Sequence, residues 1–128
     1  MTRPGLVTEL GLETFVKLDH AMIATGSTPG GPVDDALEKL GLCRRVRLRL
    51  PHFMAAPILV SQNDLVLTLP GRVARALAEM VPLQVWTPPV QLSGFGIDMV
   101  WHQRSHHDPA HRWTRQQAIA AAQEMCDG

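Results

Sequence analysis

The chain reads as an α/β protein: a three-layer, wound, mainly parallel sheet with helices on its faces. Three observations predict this class. Short apolar or β-branched runs alternate with amphipathic stretches, giving the order β-α-β-α-β-α-β between residues 20 and 87. Residues 45–50, RVRLRL, alternate strictly, so one strand has a wet face. Two of the runs end on proline, Pro51 and Pro70, which cannot continue a ladder as a donor.

Taken in order, residues 1–18 read as a leader, with Pro4, Gly5 and Gly11 and little periodicity, and with a short helix expected over 13–18. Residues 20–25, HAMIAT, form a short apolar run that suits a buried strand. The turn cluster GSTPGG follows at 26–31. Pro32 opens a helix at its favoured first position, and Asp34 and Asp35 complement the positive end of its dipole. Val33, Leu37 and Leu40 supply the buried stripe, and Gly41 supplies the left-handed stop. After the arginine-rich strand, residues 52–60 predict a helix whose first turns are constrained by Pro57. Residues 64–69 predict an interior strand, and 72–80 a helix with Val73, Leu77 and Met80 facing in. Residues 83–87 predict a fourth strand, ended by Pro88 and Pro89. Beyond that, Phe95, Ile97, Met99 and Trp101 alternate as one further strand. Asp108-Pro109 then sets an N-cap and first-turn proline for a last helix running to about residue 125.

Composition narrows the function classes. One domain's worth of chain, 128 residues with 45% hydrophobic content, is enough to bury a core. Twelve basic residues balance twelve acidic ones, so no whole-chain field attracts nucleic acid or anionic lipid. No apolar run reaches membrane-spanning length, and the first residues lack the pattern of a signal peptide, so cytoplasmic residence is the expectation. Two cysteines without a CxxC pair argue against a disulfide framework or thiolate metal site. There is no GxSxG, HExxH or Walker loop and no tyrosine, so an enzyme is not expected.

Three segments carry a family resemblance: HAMIATGSTPGGPVDDALEKLGL leading to RRVRLRLPHF, then AAPILVSQNDLVLTLPGRVA, then MVWHQRSHHDPAHRW. Together they resemble the effector-binding domain of LysR-type transcriptional regulators over residues 18–115. The resemblance implies a periplasmic-binding-protein-like architecture of two α/β lobes joined by crossing strands, with the effector held between them. It assigns 19–90 to the second lobe and 91–128 to the return strand and closing helix of the first. The LPHF element further resembles the branch responding to small aromatic compounds. The family's winged helix-turn-helix, linker helix and front of the first lobe find no counterpart among these residues, so DNA is expected as a partner only through such an N-terminal part.

The candidate site follows from strand ends. The 26–31 loop precedes a helix start, where amide groups and the hydroxyls of Ser27 and Thr28, with Gly30, could hold a carboxylate; a plain glycine turn is the competing reading. His52 and Phe53 follow the next strand on the same edge, and the matching family positions line the effector cleft. Phe53 as core and His52 as a helix cap are the alternatives. His102, His106, His107 and His111 have pair spacings of four, but Asp108-Pro109 separates His106 and His107 from the helix bearing His111, so no metal is expected. Similar histidines in the family are structural. Arg44, Arg45, Arg47 and Arg49 read as a solvated strand face without a recognition helix. No cofactor is implied. The expected function is the effector-sensing part of a LysR-family regulator that takes a small organic effector and is a homo-oligomer. The alternative is a stand-alone solute-binding or protein-interaction domain.

Overall fold

The computed structural model describes residues 1–24 and 30–127, with side chains to residue 124. It divides into two compact units, 1–94 and 95–128. In the first unit the elements run α1 (Leu12–Lys17), β1 (Asp19–Ile23), α2 (Pro32–Glu38), β2 (Arg45–Leu50), α3 (Ala55–Ser61), β3 (Leu65–Leu67) and α4 (Gly71–Met80).

The sheet is parallel, in the order β2-β1-β3, so β1 is central and the chain winds outward to either side. Pairing of β1 with β2 passes from His20↔Val46 to Ala21↔Leu48, a one-residue bulge at Arg47 that the strict alternation of the sequence does not reveal.

Two cores lie on opposite faces. Ala21, Ala56, Val60, Leu67, Ala74 and Leu77 close one, under α3 and α4. Phe15, Val33, Leu37, Val66 and Val90 close the other, under α1 and α2. That is the three-layer arrangement, and it explains why β3 is apolar at both Val66 and Leu67: its two faces are both covered.

Several expectations change. Residues 1–18, expected as a leader, are bonded into the first unit at their start, and α1 stands where the short helix over 13–18 was expected. Met1 pairs with Leu67, donating to its carbonyl at 2.8 Å and accepting from its amide at 2.9 Å. Thr2 then bridges Gln84 in antiparallel sense, with bonds of 3.0 and 2.8 Å, and its hydroxyl accepts from the Trp86 indole at 3.1 Å. The fourth strand expected over 83–87 is therefore a single bridge, because its neighbour is the short 1–2 segment instead of a full strand. Leu40 is exposed because α2 ends at Glu38 and the chain turns through Gly41 (φ +69°) before another turn could bury it. Met80, at the last position of α4, is likewise exposed, and Ala74 takes the buried place beside Leu77.

The second unit holds a 3-10 turn (Gln103–Ser105) and α5 (Pro109–Asp127). Residues 95–102 carry no ladder, contrary to the expected strand. Among the described residues of the unit there is no second strand to pair them, and a strand without a partner has no backbone bonds to hold it. Asp108 caps α5 as its sequence predicts, accepting from the His111 amide at 2.7 Å.

Candidate functional site

The topology gives one edge of the sheet two adjacent exits. β1 and β2 are parallel neighbours in register up to Ile23↔Leu50, and the Ala24 amide donates to the Leu50 carbonyl at 2.9 Å. β1 and β2 both end at this edge, and the Pro51–His52–Phe53 turn leaves from β2 there, where wound sheets open their clefts. Ser27 and Thr28 lie outside the described residues. Gly30 is half-buried at the entry to α2, while His52 is exposed and Phe53 is 42% exposed, so Phe53 is not a core residue. His52 and Phe53 precede α3, which begins at Ala55, and neither caps it with a side chain.

The best-defined geometry next to Gly31 involves two residues the sequence does not single out as a pair. Arg44 grips both carboxylate oxygens of Asp34, Nε to Oδ1 and Nη2 to Oδ2, each at 2.8 Å. Asp34 Oδ2 also accepts from the Gly31 amide at 2.9 Å, a third-position acid closing back on the helix start. The Arg44 hydrogen bonds hold the Asp34 carboxyl below the usual carboxylate range, against the opposing effect of burial. A surface hollow of about 380 Å³ lies alongside, lined by Gly30, Asp34, Asp35, Glu38, Leu42, Cys43 and Arg44. His52 and Phe53 do not line it. Gly30 lines this hollow and His52 does not, although both follow strands that end at one edge of the sheet.

The arginine stripe is engaged more than its sequence suggests. Arg45 and Arg47 both pair with Asp19, the latter at 3.1 Å, and Arg49 Nη1 contacts the Met22 sulfur at 3.5 Å. They link β2 to β1 along the sheet face. Exposed pairs of this kind add little stability, but they occupy the charges.

The four late histidines do not converge on a metal. Among the described residues no group of three or more His, Cys, Asp or Glu is arranged to hold one. Three of the rings instead accept hydrogen bonds at Nδ1: His102 from the Arg104 amide at 3.1 Å, His106 from the Trp101 indole at 3.3 Å, and His111 from Arg115 at 2.8 Å. Arg115 also donates to the carbonyls of Ser105 (3.2 Å) and His106 (2.9 Å), and stacks 4.4 Å over the Trp101 ring. WHQRSHHDPAHRW is therefore a self-bonded turn organised by one arginine.

Comparison with known proteins agrees with this architecture. The LysR substrate binding domain matches residues 4–123. The HTH-type transcriptional regulator SyrM 2 of Sinorhizobium fredii is 41% identical over 120 residues, which are 93% of this chain and 35% of that protein. The HTH-type transcriptional activator NahR of Pseudomonas putida is 36% identical over 107 residues, 84% of this chain and 36% of that one. Among solved structures, the regulatory domain of MexT, a transcriptional activator in Pseudomonas aeruginosa, superposes with a TM-score of 0.72 at 32% identity, covering 86% of this chain and 55% of that one. A transcriptional regulator from Vibrio parahaemolyticus gives a TM-score of 0.81 at 28% identity, covering 98% and 59%. The chain thus spans roughly a third of the length of these curated relatives. With the family matched over nearly the whole chain and its α/β lobe present in the structure, this chain belongs to the LysR substrate-binding domain family.

Proposed function

We propose that this chain is the effector-sensing part of a LysR-family transcription regulator, binding a small aromatic or carboxylate compound at the carboxyl edge of β1 and β2. The observation that carries the reading is the hydrogen-bonded pair of strand ends at Ala24 and Leu50. It sets the end of β1 beside the exit of the His52–Phe53 turn from β2, with the imidazole and the ring both exposed. An imidazole there donates to a ligand oxygen, and the phenyl ring supplies a stacking face. Gly30 contributes backbone next to them. Ser27 and Thr28 enter on sequence alone. The protein acts by binding and not by catalysis, in the cytoplasm, and reaches DNA only when joined to a helix-turn-helix such as its relatives' names record. Effector binding changes the regulator only as far as the effector prefers one arrangement of the assembly over another.

A calorimetric titration with benzoate tests this. Saturable binding is expected, and His52→Ala should weaken it about tenfold, the loss of one hydrogen bond to a charged oxygen. No heat beyond dilution, or equal binding by the variant, contradicts the reading. A second reading, a protein-interaction domain, is favoured by one observation: Phe95, Ile97 and Val100 are all exposed.

A further inference from the structure

On the reading that Gly30 borders an effector site, we infer that Asp34 and Arg44 are positioning residues for it: the guanidinium fixes the carboxylate, and the carboxylate fixes Gly31.

The argument starts from Pro32. It has no N–H, so the first helical position of α2 offers no amide to anchor the incoming chain. Gly31 supplies the nearest one, and Asp34 takes it at 2.9 Å. Gly31 also lies close against β1, since a Cβ there would sit 3.1 Å from the Met22 methyl. The entry to α2 is thereby pinned between the central strand and a side chain of its own first turn. With Asp34 on it, the Gly31 amide is not available to a ligand.

Arg44 explains why the carboxylate stays in place. Its side chain is only 3% exposed and makes two parallel bonds that a lysine ammonium cannot reproduce. Removing such a pair from water costs much of what the attraction returns, so its net contribution to stability is small. What it does supply is one allowed geometry, and the group whose geometry it fixes is the backbone at Gly30 and Gly31. Arg44 stands at the amino end of β2 and Asp34 in the first turn of α2, so the pair ties the start of one element to the start of the other.

This predicts a separation between stability and binding that an ordinary core pair would not show. In the double variant Asp34→Leu/Arg44→Met the charges go together, so thermal stability should stay near that of the parent. The Gly31 amide should nevertheless exchange with solvent at least about fivefold faster by NMR, and benzoate affinity should fall by a similar factor. Asp34→Asn keeps an acceptor for Gly31 and should retain most of its protection. Leu77→Ala, in the opposite core, lowers stability and should leave benzoate affinity unchanged. Should the double variant fail to fold, Arg44→Lys and Asp34→Asn carry the same measurements. Unaltered Gly31 exchange in the leucine/methionine variant or in Arg44→Lys overturns the inference, as does an equal affinity loss in Leu77→Ala. If benzoate does not bind the parent chain, the effector reading falls and the inference with it, whereas binding with unaltered exchange overturns the clamp alone.

Discussion

His20 donates its Nε2–H to the Phe15 carbonyl at 2.7 Å and meets the Phe15 ring edge-on, with centroids 4.7 Å apart. Phe15 O belongs to the last turn of α1, where carbonyls lack intrahelical partners, so His20 closes the helix from the next strand. A carbonyl only accepts, which fixes the proton on Nε2 and leaves Nδ1 buried without a partner among the described residues.

Burial lowers the His20 pKa, and nearby Arg44 adds to this, against the Phe15 hydrogen bond and the carboxylates of Asp34 and Asp19. The folded state therefore holds the neutral ring, while the unfolded chain takes up a proton near pH 6.5. The resulting stability is present above that pH and is lost as pH falls through it toward the folded value. Urea unfolding should show a lower midpoint at pH 5 than at pH 7.5. His20→Phe should flatten that dependence while costing about 1–3 kcal/mol at pH 7.5 through the unpaired Phe15 carbonyl. An unchanged pH dependence in the variant would count against this account.

Two leucines of α2 should separate sharply. Leu37 is fully buried and Leu40 is 56% exposed. Leu37→Ala should cost about 2–5 kcal/mol in denaturant unfolding, and Leu40→Ala no more than about 0.5. Similar losses at both would mean that α2 extends beyond Glu38 and buries its next turn.

That contrast marks what the sequence could show. The strand–helix alternation up to α4, the Pro32 and Asp108-Pro109 helix starts and the Gly41 turn are local signals that led to the elements observed, whereas the strands expected at 83–87 and 95–101 did not form. Leu40 and Met80 lie outside the buried stripe that their spacing predicts, because helical periodicity does not say which turn is the last. The Thr2–Gln84 bridge joins residues far apart in the chain, and nothing local announces it. The Asp34–Arg44 pair left a trace that was passed over. Arg44 lies two positions before Val46, in phase with the apolar residues of β2, while Arg45, Arg47 and Arg49 lie in the wet phase. A charge on the buried phase asks for a partner, and the acid at the third helical position was available.

Arg115 should govern the 101–111 turn. Arg115→Lys removes the planar group that reaches two carbonyls, His111 and the Trp101 face together, and one ammonium cannot replace it. The Trp101 indole N–H resonance should move toward its free position in this variant. An unmoved signal would show that Asp108 and the helix hold the turn without Arg115.

The apolar side chains at 95–101 should drive self-association. Ile97 is 90% and Val100 92% exposed, and such side chains gain by covering one another. Light scattering should report a dimer or larger at high concentration, shifted toward monomer by Ile97→Asp. A stable monomer across the concentration range would contradict it.

No sequence-selective binding to duplex DNA is expected from this chain alone, given its balanced charges and the engagement of Arg45 and Arg47 with Asp19. A fluorescence anisotropy titration should give only weak, salt-sensitive binding. Selective binding that survives raised salt would place a DNA-reading surface on this lobe.

The most direct test of the effector reading follows the histidine rings by NMR while benzoate is added. The His52 signals should shift saturably, together with the Gly30 amide, while those of His111, committed to Arg115, stay in place. A fixed His52 with movement at His111 or another distant histidine would contradict the site.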